Sequence, residues 1–289
     1  MRGPAADTGG GHVNDIRASW RISPSRPGAM CGDWIDVARL ADGRLAVSMG
    51  DAAGHGDQAA ALALVLRRLL RDRLLDGADP GQALGGALAE VAELGDMGEM
   101  YATAFVAVAA ADGTVTYANA GHPAPIVLRS RGPWDRGRTA PGHHGASRSL
   151  GPTGPLLSDL FAGAAIWSNR TLRLAPGESL FLYTDGLTEA RNSAGVEFGP
   201  DRLVDAGWRQ TGSSTPGRGR RPSAVSGVLE RMFAEVAAFT QRAPDDRSAL
   251  VLACVPEVDG HDGDRALGDS GRLGDIIRRG AAAEQCGVG

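Results

Sequence analysis

Residues Cys31 to Gly56, CGDWIDVARLADGRLAVSMGDAAGHG, constrain the fold more than any other stretch of this 289-residue chain. Two runs of alternating apolar and polar residues flank Ala41-Asp42-Gly43. That pattern predicts a β-hairpin closed by a three-residue loop, with Gly43 in the left-handed position. Such a loop pairs Leu40 with Arg44, and the register follows from there. Val37 faces Val47, Asp36 faces Ser48, Ile35 faces Met49, and Asp33 falls opposite Asp51. Side-chain alternation then puts Asp33, Ile35, Val37, Leu45, Val47, Met49 and Asp51 on one face, apolar except at its open end. Two aspartates opposed at the end of a buried face repel each other and lose solvation, which a cation between them would offset. A two-residue turn would put the acids on opposite faces, and strand-end aspartates facing water are the plainer alternative.

Other acids fall in comparable places. Asp185 follows the apolar run SLFLYT and precedes Gly186; Asp245 and Asp246 come just before SALVLACV. A single strand-end Asp is ordinarily a turn former. Three such sites form one carboxylate cluster if those strand ends meet. Hard oxygen donors with no His or Cys among them favour Mg²⁺ or Mn²⁺ over Zn²⁺. Two such ions about 3.5–4 Å apart lower the pKa of a bridging water and clamp a phosphoryl oxygen, so hydroxide attacks phosphorus without a protein nucleophile.

Composition narrows the chemistry further. All 30 basic residues are Arg, and 24 of the 34 acidic ones are Asp. With no lysine there is no P-loop lysine, no kinase-type ATP lysine and no Schiff base. Phosphate handling falls to Arg, backbone amides or metal. A net charge of -4 lacks the basic excess of a nucleic-acid binder. Cys31, Cys254 and Cys286 are odd in number, far apart and in no CxxC pair, which argues against a disulfide framework or a thiolate zinc site. Met1 to Gly11 has no apolar signal core, and the longest apolar run, Ala59 to Leu66, is far below the ~20 residues of a membrane span. The expectation is a cytoplasmic protein with no membrane or nucleic-acid partner.

Strand-like alternation is expected over Trp34–Leu40, Arg44–Gly50, Tyr101–Ala109, Thr114–Ala120, Ile126–Arg129, Ile166–Leu174, Ser179–Thr184 and Ser248–Val255. Helical periodicity covers Asp57–Leu75, Pro80–Leu94 and Ser223–Arg242. Strand hairpins with helices grouped in pairs, rather than strict βαβ alternation, predict an antiparallel α+β sandwich. Residues 17–257 read as one catalytic domain between flexible tails, 1–16 and 258–289, with a short helix around Leu273–Ile277. Surface loops are expected near 130–149 and 211–221. Arg218, Arg220 and Arg221 read as a solvated loop or an acidic-partner contact, and His143 and His144 as loop residues.

The same residues resemble the metal-dependent protein phosphatases (phosphatase 2C-like), specifically the bacterial SpoIIE/RsbU-type branch. The matching blocks are CGDWIDV, GDAAGHG, ANAGHPAP, LFLYTDGLTEARN followed by FGPDRL, and PDDRSALVL, in family order from about Ile22 to Val255. The resemblance implies a four-layer αββα sandwich of two mostly antiparallel sheets flanked by helices. It also implies a Mn²⁺- or Mg²⁺-dependent phosphatase, with two ions, acting on phosphoserine or phosphothreonine. By position, Asp51 bridges the metals, the Ala52 carbonyl helps hold one, and Asp33 stands beside them directly or through water. Asp185 and Asp245 complete the other shell, with Asp246 the second candidate at that position; Asp33, Asp51 and Asp185 are the catalytic set.

The implied substrate is a phosphorylated regulatory protein of the anti-sigma factor antagonist type. About twenty residues precede the catalytic block, so any signal is expected to arrive through a partner, such as a separate sensor or activator protein, or through the tails. Cys31 departs from the usual Gly and reads as a small buried residue rather than a redox switch. His55 and His122 read as loop-orienting, and Arg21 and Arg26 as the candidates for phosphate contact. A catalytically silent, phosphatase-like binding module is the alternative; a carboxylate metal nuclease lacks a basic track.

Overall fold

The computed structural model describes residues 15–25, 31–54, 56–94, 100–129, 150–208, 224–240 and 245–255. The chain divides into two units, Met1–Pro256 and Glu257–Gly289, and the described residues all lie in the first. The expected tail 258–289, the Leu273–Ile277 helix and the loops 130–149 and 211–221 lie outside them.

The hairpin forms in the expected register. Strand β2 (Asp33–Arg39) pairs antiparallel with β3 (Leu45–Ala52), and Asp33 is the Cα partner of Asp51. The Leu40 amide donates to the Arg44 carbonyl at 2.8 Å, and Gly43 adopts φ 87°. The Asp42 carboxylate accepts from the Arg44 amide at 3.0 Å, holding the loop closed. The motif recurs at Ala111-Asp112-Gly113 between β4 (Ala102–Ala109) and β5 (Thr114–Ala120), where Gly113 has φ 86° and Asp112 accepts from the Thr114 amide.

Two further groups of strands complete the architecture. A strand absent from the sequence reading, β1 (Asp15–Ser23), pairs with β9 (Arg247–Val255). Asp15 and Ile16 therefore belong to a strand rather than to a tail ending at residue 16, and Ile16 is buried. Along with β6 (Ile126–Arg129), β7 (Arg170–Arg173) and β8 (Glu178–Tyr183), these strands form sheets ordered β1-β9-β8-β6 and β2-β3-β4-β5-β7. Each pairing between these nine strands is antiparallel.

Helices cover both outer faces. α1 (Asp57–Leu75) and α2 (Pro80–Leu94) pack on the five-stranded sheet through Ala59, Ala63, Leu66, Leu70, Leu84 and Leu88. The i, i+4, i+7 spacing makes one apolar stripe on α1, and its alanines let the helix approach the strands closely. After the short α3 (Asp185–Thr188), α4 (Gly199–Trp208) and α5 (Ala224–Phe239) cover the four-stranded sheet. Between the sheets lies the third core, where Ile35, Val47, Met49 and Phe105 meet Leu180, Leu250 and Leu252. The result is the αββα sandwich.

The differences from expectation have local causes. Ile166–Leu174 shortens to Arg170–Arg173 because Ile166 is 81% exposed while Trp167 turns inward, its indole Nε1 donating to the Pro155 carbonyl at 2.7 Å. α4 starts at Gly199, φ 77°, where Arg202 donates to the Glu197 and Phe198 carbonyls. Among the described residues, no helix is long and apolar enough to cross a membrane.

On the helix-facing side of β2, Asp36 accepts from one Arg71 nitrogen with both oxygens, at 2.8 and 2.9 Å. The second aspartate of the CGDWID block thus fastens α1 to its sheet. Asp36→Ala is expected to lower the unfolding free energy by about 1–2 kcal/mol, as for a lost charge-assisted hydrogen bond. Urea denaturation measures this.

Candidate metal centre

The carboxylates gather at the sandwich end opposite the glycine loops. In the five-stranded sheet, Asp33, Asp51 and Thr103 form one cross-strand row over β2, β3 and β4. Asp33 is 6% exposed. Its Oδ2 accepts from the Thr184 hydroxyl at 2.9 Å, and that hydroxyl accepts from the Ser248 amide at 3.0 Å. The other sheet therefore holds the Asp33 carboxylate in place. Thr184 lies just beyond β8 and directly before Asp185, the first residue of α3.

Asp185 meets the 245–246 segment through a glycine contact. A Cβ at Gly186 would lie 2.0 Å from the Asp246 carbonyl oxygen, so only glycine lets α3 rest there. Asp246 accepts from the Ser25 amide at 2.7 Å and the Gly32 amide at 3.1 Å. It clamps the chain on both sides of the β1–β2 connection. Asp245 is exposed and accepts from the Asp246 amide at 2.8 Å.

Asp33, Asp51 and Asp185 are perturbed by burial and by their acidic neighbours. Burial pushes Asp33 up to about 7, assisted by Asp246 and Asp245 and opposed by the hydrogen bond from Thr184. Asp51 is pushed up to about 8, first by burial and then by Asp33, Asp185, Asp245 and Asp246. Asp185 is raised by burial and by Asp245. Carboxylates from β2, β3, the α3 start and the β9 approach thus share one electrostatic field. Such a field attracts a divalent cation.

The donor chemistry fits a hard cation. A Cβ at Gly32 would lie 3.0 Å from the Ala52 carbonyl oxygen and 3.5 Å from Asp51 Oδ1, so the missing side chain leaves both oxygens facing one space. All these donors are oxygens, the set preferred by Mg²⁺ and Mn²⁺. Among the described residues, no three His, Cys, Asp or Glu side chains already close around one point. A bound cation would have to draw the carboxylates inward.

The remaining sequence candidates take other roles or lie elsewhere. His122 is buried, its Nδ1 3.0 Å from the Thr103 hydroxyl, and burial pushes it down to about 3. It is a neutral strut beside the Asp51 row. The Asn119 side chain pins that loop by accepting from the His122 amide and donating to the His122 and Leu150 carbonyls. Burial and the neighbouring Asp33 and Asp246 push the Cys31 thiol well above its ordinary range, the opposite of a reactive thiolate. Arg21 sits on β1 with its guanidinium 4.6 Å from the Phe233 ring centroid. His55, Arg26, His143, His144, Arg218, Arg220, Arg221 and Cys286 fall outside the described residues. Thr103, Thr184 and Ser248 escaped the sequence reading; the Thr-Asp step in LFLYTDG was the available signal.

Known proteins share this arrangement of sheets and helices. The two RsbU and RsbW domains of Rv1364c from Mycobacterium tuberculosis match with a TM-score of 0.65 and 23% identity, over 86% of this chain and 62% of that one. The phosphatase domain and regulatory-domain fragment of SpoIIE from Bacillus subtilis match with a TM-score of 0.66 and 14% identity, over 86% and 64%. In sequence, protein IcfG of Synechocystis sp. is 29% identical over 218 residues, which is 64% of this chain and 32% of IcfG. The chain thus spans about a third of that curated relative. The family model for stage II sporulation protein E (SpoIIE) matches residues 41–256, well over half of the sequence. That match takes in the Asp51, Asp185 and Asp245 blocks, and by it the chain belongs to the SpoIIE family, whose phosphatase 2C-type fold it has.

Proposed function

We propose that the chain is a Mn²⁺- or Mg²⁺-dependent serine/threonine protein phosphatase of the cytoplasm. Its substrate is a phosphorylated regulatory protein of the anti-sigma factor antagonist type. The observation that carries this reading is the meeting of Asp33, Asp51, Asp185 and Asp245 in one electrostatic cluster fed by both sheets. Family membership supports the phosphatase class, and the RsbU–RsbW pairing named in Rv1364c supports a regulatory partner.

In this reading Asp51 and the Ala52 carbonyl hold cations, with Asp33 beside them and Asp185 and Asp245 completing the shell. Two divalent ions held by these residues would supply an activated water and would neutralise charge on the phosphoryl group. Thr184 orients Asp33, and Asp246 keeps Gly32 and Ser25 in place so that the mouth stays open. Neither a lysine nor a protein nucleophile is required.

The test is release of phosphate from a phosphorylated antagonist with and without Mn²⁺. Manganese-dependent release supports the proposal, and a folded but inactive chain that takes up no Mn²⁺ in calorimetry points to a silent binding module. Thr184→Val is expected to weaken Mn²⁺ binding by about 10–100-fold, the usual effect of removing a group that orients a ligand. Calorimetric titration reads the change directly.

A further inference from the structure

On the outer face of the four-stranded sheet, beside the carboxylate mouth, two arginines stand together. Arg21 pairs with Ala249 across β1 and β9, while Arg247 pairs with Ser23 one step nearer the mouth. Ala249, Val251 and Ala253 belong to the core under α4 and α5, so alternation puts Arg21 and Arg247 on that face and away from the inter-sheet cleft. Phe233 of α5 supports the Arg21 guanidinium from one side. Arg247 is half-buried, and its side chain passes the start of α3, Cγ lying 3.4 Å from the position a Cβ would take on Gly186.

Among the described residues neither guanidinium has an ion pair, and the Arg247 Nε is buried without a hydrogen-bond partner. The adjacent acid, Asp246, already accepts from the Ser25 and Gly32 amides. Two like charges side by side, one with an unmet donor, are stabilised by an anion that both can reach. A planar guanidinium fork suits a carboxylate in particular.

We propose that Arg21 and Arg247 form a recognition site for an acidic side chain flanking the phosphoresidue of the protein substrate. The proposal rests on the phosphatase reading for the identity of its ligand. Arg247 follows Asp246 directly but points to the other face, so the pair flanks the reacting position instead of lining it. Neighbouring residues of an extended peptide advance about 3.3 Å each, which places a Glu one or two positions from the phosphoserine within reach of a long arginine side chain. The chain as a whole carries a net charge of -4 and repels acidic peptides. A preference for them must therefore come from a local basic site.

The experiment measures anisotropy of a dye-labelled phosphoserine peptide with Glu on either side of the phosphoresidue, against the same peptide with Gln. The full chain with Mn²⁺ is expected to bind the Glu peptide at least about fivefold tighter, on the scale of one charge-assisted contact. Arg21→Glu is expected to erase or reverse that preference. Arg247→Lys, which keeps the charge and most of the buried stem, is expected to reduce it. Equal affinity of the unaltered chain for both peptides, or full preference retained by Arg21→Glu, overturns the proposal. Hydrolysis of p-nitrophenyl phosphate by the unaltered chain reads the phosphatase reading separately. Peptide discrimination without hydrolysis would keep the arginine site and remove the enzyme; hydrolysis without discrimination would do the reverse.

Discussion

Asp51→Asn is expected to lower Mn²⁺-dependent phosphate release by at least about 10²–10³-fold, the range for removing a group that stabilises charge in the transition state. Its position explains why the effect should exceed that of any other single aspartate. Asp51 faces Asp33 across the hairpin and feels Asp33, Asp185, Asp245 and Asp246. The same substitution removes the acid that all four oppose, so the metal-free variant should melt at a higher temperature than the unaltered chain. Activity falling while stability rises separates loss of the site from loss of the fold. An Asp51→Asn protein with normal turnover would remove Asp51 from the chemistry.

The second large effect is a pH-dependent stability that metal abolishes. Burial and the neighbouring acids push Asp33 up to about 7 and Asp51 up to about 8 in the folded chain, against about 3.9 for an unfolded Asp. The folded form keeps protons that the unfolded form has already released. The stabilisation is therefore complete at low pH and is lost as pH rises through the folded values. His122 acts in the opposite sense, because it is buried neutral and destabilises the fold as pH falls below its unfolded value of about 6.5. Above that value His122 drops out, and from pH 6.5 to 8.5 the carboxylates dominate, the raised Cys31 and Cys254 thiols adding to the same fall only near the upper end. About two pK units are involved there, close to 3 kcal/mol, which is a fall of roughly 6–12 °C in melting temperature for a domain of this size. Saturating Mn²⁺ should flatten the slope, since carboxylates holding a cation stay ionised throughout. Thermal melts in EDTA and in Mn²⁺ across this window check both statements; a flat metal-free profile would contradict the mutual repulsion.

Much of the cluster was legible because a hairpin register is arithmetic once its turn is known. Ala41-Asp42-Gly43 set the pairing, and Asp33 opposite Asp51 followed without tertiary information. α1 and α2 were equally readable, since their apolar stripes continue up to glycine and proline boundaries. β1 carries the same alternation, Ile16, Ala18 and Trp20 between Arg17, Ser19 and Arg21, but it was obscured by lying beside a polar, glycine-rich stretch. The role of Thr184 was hidden for a different reason. Its hydroxyl contacts Asp33 across a separation of 151 residues, and no local pattern encodes a partner so distant. Gly186 and Gly32 likewise matter for what they leave empty, which becomes visible only when the neighbouring backbone is in place.

The Asp42 and Asp112 loops give the sandwich two poles of unlike character. At one pole tight turns close the strands, and a short aspartate–amide contact satisfies each loop locally. At the other pole the strands end on acids that no local turn neutralises. Folding instructions and reactive groups thus occupy opposite ends of the same strands. A change to a turn bears on how readily the chain finds its register, and a change at the far end bears on what the finished molecule can do. Sequence drift at the first pole leaves the second intact only while the turn keeps its length, because that length sets Asp33 opposite Asp51.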